Sequence, residues 1–96
     1  MITAIVMVSA AIDRIPKVAQ DIADLPGVTE VYSVAGDVDL VAMVRVRRHE
    51  ELHDTIAGRL SKVDGVLSTS TLIAFQAYSN HDLEATFSLG LEGADQ

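Results

Sequence analysis

The stretch Val41-Ala42-Met43-Val44-Arg45-Val46, moved back 38 positions, falls on Thr3-Ala4-Ile5-Val6-Met7-Val8. The alanine and two valines coincide, and both stretches are short, β-branched and free of breakers, as strands are. The same offset relates Gly27-Val28 to Gly65-Val66. Each copy of the motif is followed by residues of another period. Ile15, Val18, Ile22 and Leu25 fall on one face of a helix over residues 13–25, with Pro16 in its first turn and Pro26-Gly27 ending it. Leu52, Ile56, Leu60 and Val63 do the same for a helix over residues 50–63, closed by Asp64-Gly65. Strands are predicted over residues 2–8, 28–35, 39–47 and 66–76, with Gly36-Asp37 as the turn between the second and third.

Two βαβ halves in tandem give an α+β, ferredoxin-like βαββαβ fold: an antiparallel four-stranded sheet with both helices on one face. The chain has 96 residues, which is one domain: residues 1–78 form the ferredoxin-like unit and residues 79–96 its C-terminal extension. In that extension a single helical turn capped by Ser79 or Asn80 is expected. A short fifth strand follows, in which Phe87, Leu89 and Leu91 alternate with Thr86, Ser88 and Gly90.

Two helices cover one side of a sheet. The repeat puts Ala4, Val6 and Val8 on the side of Ala42, Val44 and Val46, which is assigned to the helices. The other side then carries Ile5, Met7, Val41 and Met43, where a solvated antiparallel face would be polar. Full burial of such a side chain is worth roughly 1.5–3 kcal/mol. A second copy packed sheet to sheet across a two-fold axis, a dimeric α+β barrel, is the simplest cover, and these four residues are its expected interface.

With 14 acidic and 7 basic residues the net charge is −7, which argues against direct binding of nucleic acid or an anionic membrane. There is no cysteine, so no disulfide, thiolate zinc site or thiol chemistry. The apolar start lacks a basic n-region, and a cytoplasmic chain is expected. His49 and His53 stand at i and i+4 among Glu50, Glu51 and Asp54, but no third ligand has a defined relation to them, and a solvated helix face is the reading; no metal and no cofactor are expected. His81-Asp82 reads as a surface helix start. Arg45, Arg47 and Arg48 form a small basic spot expected to pair with neighbouring carboxylates.

The βαββαβ order, the loop Val34-Ala35-Gly36-Asp37-Val38-Asp39 and the strand Ser68-Thr69-Ser70-Thr71-Leu72-Ile73 resemble the effector domain of the leucine-responsive regulatory protein/AsnC (Lrp/AsnC) family, also called the regulation of amino acid metabolism domain. The resemblance covers residues 3–76. It implies a stand-alone amino-acid effector-binding and oligomerisation module for transcription regulation, without its own DNA-binding domain. It also implies homodimers assembled further into tetramers to octamers, with full-length Lrp/AsnC relatives as further partners. The small effector would sit in an inter-subunit cleft lined by Gly36, Asp37, Val38 and Asp39, with hydroxyls from Thr69 and Thr71. In that site the turn's N–H groups would receive a carboxylate and Asp39 an α-ammonium.

Each of these residues also has a simpler reading. Asp39 suits a turn residue that caps backbone, and Thr69 and Thr71 suit ordinary strand propensity. The alternative function is a small dimeric α+β-barrel enzyme of the cofactor-free monooxygenase or isomerase type. Such enzymes need a polar or aromatic pocket, whereas here the sheet-lining positions are aliphatic, tryptophan is absent and aromatics make up 4%. A purely structural oligomerisation piece is the third reading.

Overall fold

A computed structural model describes residues 1–78. Strand β1 (Ile2–Ala10) leads through a 3₁₀ turn (Ile12–Arg14) into helix α1 (Ile15–Ala23). Strands β2 (Val28–Ser33) and β3 (Leu40–Val46) follow, then helix α2 (His49–His53) and strand β4 (Val66–Ala74). The four strands are antiparallel in the order β2-β3-β1-β4, the arrangement expected from two interleaved βαβ halves. The predicted helical turn and fifth strand after Tyr78 lie outside the described residues. Among those described, no helix is long and apolar enough to cross a membrane.

The core follows the repeat. Ala4, Val6, Val8 and Ala10 of β1 and Leu40, Ala42, Val44 and Val46 of β3 are buried against the helices, alternating with half-buried neighbours as the strand period requires. From α1, Val18 and Ile22 complete this core, with Ile15 and Leu25 packed against it. The polar side of α1 is tied by Lys17 to Asp21 at 2.7 Å, an i,i+4 pair.

The second helix departs from expectation. A regular α-helix over residues 50–63 would bury Leu52, Ile56 and Leu60. Instead α2 gives way after one turn to a π-helical stretch (Asp54–Arg59) and then a 3₁₀ turn (Leu60–Lys62). The residues it buries are Leu52, Thr55 and Leu60, while Ile56 is only half-buried. Thr55 is the cause the structure offers. Its hydroxyl donates to the Pro26 carbonyl at 3.3 Å, so the helix presents a polar residue to the α1–β2 connection. Leu60 then reaches the core five residues later through a widened turn, in which the Thr55 and Ile56 carbonyls accept from the Leu60 amide and the Ile56 carbonyl also from the Ser61 hydroxyl.

The side of the sheet away from the helices carries Ile5, Met7, Val41 and Met43, as the pattern predicted. Cross-strand pairs join Ile5 to Met43 and Met7 to Val41, and Leu72 on β4 sits beside Ile5. Tyr32 and Glu30 border this patch from β2, and the Tyr32 hydroxyl donates to the Glu30 carboxylate at 2.7 Å. That hydrogen bond and the adjacent negative charge push the Tyr32 phenol above its ordinary pKa. No described residue covers the patch.

Candidate functional site

The loop joining β2 to β3 lies beside the C-terminal end of β1. Its base is closed by two backbone bonds, Val34 N–H to Asp39 O at 3.1 Å and Asp39 N–H to Val8 O at 2.9 Å. Gly36 takes φ +144° at the exposed tip with open space around it, and Asp37 is exposed beside it. Val38 and Asp39 are half-buried where the loop returns to the sheet.

Asp39 does structural work here. Its Oδ2 accepts from the Ala10 amide at 2.9 Å, extending the β1–β3 ladder past the last strand pair. The Oδ1 atom accepts no hydrogen bond from the described residues. Backbone capping and ligand binding are therefore compatible at this carboxylate, one oxygen for each. Asp39→Ala is expected to cost about 1–3 kcal/mol because it orphans a part-buried amide. Asp39→Asn keeps an acceptor while removing the charge and is expected to cost less than about 1 kcal/mol. Urea denaturation of the two variants checks the difference.

Thr69 and Thr71 do not join the loop in a pocket of the single chain. Thr69 pairs with Val8 and Thr71 with Val6, so both stand on the helix side of the sheet. Thr69 lies one strand across from the loop's anchor at Val8. Thr71 instead lines an apolar groove of about 250 Å³ with His49, Leu52, His53, Ile56 and Ala57. The residues turned to the open face on β4 are Ser70 and Leu72, opposite Met7 and Ile5.

A larger cleft, of about 460 Å³, lies at the opposite end of the sheet. Its walls are Pro26 and Gly27, the end of β3 with Arg45 and Arg47, and Glu51, Asp54, Thr55 and Arg59 of the second helical segment. The backbone is tied here by Arg45 N–H to Gly27 O at 2.8 Å. Gly27 takes φ +90°, and a Cβ there would stand 3.1 Å from Val46 Cγ1 and 3.2 Å from Thr55 Oγ1, so a side chain at this position would be both strained and crowded.

The expected pairing of the arginines is carried, for Arg48 and Arg47, by Glu51 at longer range, without a direct ion pair. Among the described residues no carboxylate lies within ion-pair distance of Arg45, Arg47, Arg48 or Arg59; the pairs present are Arg14–Asp64, Lys17–Asp21 and His53–Asp54. The nearby Glu51 carboxylate is taken by backbone instead, accepting from the Arg47 amide at 2.9 Å and the Arg48 amide at 3.2 Å. These bonds cap the start of α2 and, together with the nearby Arg48 and Arg47 charges, hold the Glu51 carboxyl below its ordinary pKa. Arg59 and Thr55 were not singled out in the sequence. The available signal was that Arg45, Arg47, Arg48 and Arg59 fall within fifteen consecutive residues of an acidic chain with only 7 basic side chains.

A family model described as the Lrp/AsnC ligand binding domain matches residues 3–83 of this chain. The chain belongs to this family. The solved structure of TTHA0845 from Thermus thermophilus is 46% identical, aligns 82% of this chain with 99% of its own, and superposes with a TM-score of 0.78. The curated HTH-type transcriptional regulator PH1916 of Pyrococcus horikoshii, itself uncharacterised, is 41% identical over 59 residues, 62% of this chain and 39% of its own. Escherichia coli AsnC, at 22% identity, shares the fold with a TM-score of 0.75 over 81% of this chain and 53% of its own. This Lrp/AsnC-type chain spans about two-fifths to half the length of the curated relatives it matches.

Proposed function

We propose that this Lrp/AsnC domain is an amino-acid effector-binding and oligomerisation module that acts through assembly and performs no chemistry of its own. The observation that carries the reading is the apolar sheet face. Ile5, Met7, Val41, Met43 and Leu72 form a continuous patch with a polar border of Glu30, Tyr32 and Ser70. An apolar centre with a polar rim is the anatomy of a protein interface. A second copy of the same sheet covers it with a self-complementary surface, and full-length relatives that carry the same sheet are candidate partners.

The effector site belongs to the junctions between copies. Gly36, Asp37, Val38 and Asp39 stand at the start of β3, the strand that carries Val41 and Met43 into the patch. In this arrangement the exposed turn amides meet the effector carboxylate and Asp39 Oδ1 meets its ammonium group. Thr69 and Thr71, being on the helix side, enter only if a further copy packs along β4. The mechanism is linkage: an effector that binds one assembly state more tightly than another shifts the population by its differential affinity.

Thermal unfolding in the presence of single amino acids tests the reading. A true effector at about a hundred times its Kd stabilises by about 2.7 kcal/mol, which raises Tm by roughly 10 °C or more for a domain of this size. Light scattering on the same samples should show a change in mass with the same compound. An amino-acid panel that moves neither Tm nor mass would refute the sensing role.

A further inference from the structure

We propose that the cleft between Gly27, the end of β3 and the widened helical turn is a second ligand site, for a small molecule carrying a phosphate or carboxylate group. It is separate from the effector loop. The loop is anchored at Val8 and the cleft lies where Ile2 pairs with Val46, six residues along β1, or about 20 Å at the rise of a strand.

Charge makes the first part of the argument. The chain carries 14 acidic and 7 basic residues, so most of its surface repels anions. Two of those seven, Arg47 and Arg59, nevertheless line one cavity; Arg45 borders it from β3 with its side chain on the Met43 face of the sheet, and Arg48 is next to Arg47 in sequence. Among the described residues neither Arg47 nor Arg59 has a carboxylate within ion-pair distance. The two carboxylates on the cleft wall make no direct ion pair with them. Glu51 is bound to two backbone amides at the start of α2 and meets the Arg47 and Arg48 charges only beyond ion-pair distance, and Asp54 stands 4.0 Å from His53. Guanidinium groups are planar forks of donors matched to the paired oxygens of carboxylate and phosphate, and here they are left with donors to offer.

Shape makes the second part. A cavity of about 460 Å³ is the size of a small-molecule site. Its floor is the buried Thr55 and Val46, with the Thr55 hydroxyl already satisfied by Pro26. The π-helical stretch (Asp54–Arg59) starts at that floor and ends at Arg59. The helical irregularity therefore supplies both the buried threonine and the arginine on the wall, and such irregularities concentrate at functional sites.

The test is an amide NMR titration of the intact chain with inorganic phosphate and, separately, acetate, each against potassium chloride at matched ionic strength. Saturable shifts centred on Gly27, Val46 and Thr55 are expected with at least one of the two. Tighter phosphate assigns a phosphorylated ligand, tighter acetate a carboxylate. Arg59→Gln should weaken that binding at least tenfold, Arg59→Lys should recover part of it, and Asp39→Asn should leave it unchanged. Arg47→Gln serves as the second variant should Arg59→Gln lose its native spectrum. Shifts no larger than those given by chloride, or equal affinity in both glutamine variants, would overturn the proposal.

Discussion

Gly65→Ala is expected to destabilise the domain by about 3 kcal/mol or more, enough to remove a large share of a stability of ~5–15 kcal/mol. Gly65 takes φ +101°, and an added Cβ would stand 2.6 Å from Val18 Cγ2 and 3.3 Å from Arg14 Cδ. Val18 is fully buried in the centre of α1 and cannot retreat without opening the core. The Gly65 carbonyl also accepts from the Ala11 amide at 2.8 Å, which fixes the backbone on the other side. Backbone strain and overpacking therefore act together. Chemical denaturation monitored by circular dichroism checks the value. Gly58→Ala is the control, because nothing lies within 4 Å of the position a Cβ would take there. A loss below about 1 kcal/mol in Gly65→Ala would mean that the end of the second helical segment is less tightly held against α1 than the structure has it.

Met43→Asp is expected to raise the dimer dissociation constant about a thousandfold or more while leaving the protomer folded. Met43 is half-buried on the open face, paired with Ile5 on one side and Glu30 on the other. An aspartate there meets water in the free protomer and loses it in the dimer. Across a two-fold axis the change is made twice, so two uncompensated charges are buried at once. A cost of ~4 kcal/mol for this desolvation corresponds to that thousandfold change. Sedimentation equilibrium of the variant at several concentrations reads the constant directly, and circular dichroism confirms the protomer. The contrasting substitution is Arg45→Asp, at the far end of the same strand face, where a smaller effect on association is expected.

Much of the fold was legible in the sequence because the two halves repeat. The match of residues 3–8 with 41–46 identifies two strands and also the face each turns to the helices, and burial follows that assignment at all six positions. The second helix departs from its pattern for a physical reason. Its leucines and isoleucine recur as an α-helix requires, but Thr55 is drawn into the core by the Pro26 carbonyl, a contact between segments 29 residues apart that no local period announces. The predicted strand over residues 28–35 ends at Ser33, where the chain turns out to form the loop closed by Val34 and Asp39.

The candidate effector loop was legible only as a position. Gly36 and Asp37 announce a turn, yet the bond from Ala10 to Asp39 crosses 29 residues and depends on strand register, which the pattern alone does not give. The arginine cleft was hidden for the same reason. Arg45 and Arg47 sit at a strand end and Arg59 at the end of a helical segment, and only the crossover places them around one cavity. Composition hinted at it, since so acidic a chain concentrates its few cations there.

Sedimentation velocity of the unmodified chain, from high micromolar to nanomolar concentration in moderate salt, probes the exposed side of the β-layer. Packing of that surface against its own copy predicts a species of twice the chain mass or more that persists through low micromolar dilution. A well-folded species of single mass throughout the micromolar range would contradict it, and the proposed inter-subunit effector site would fall with it.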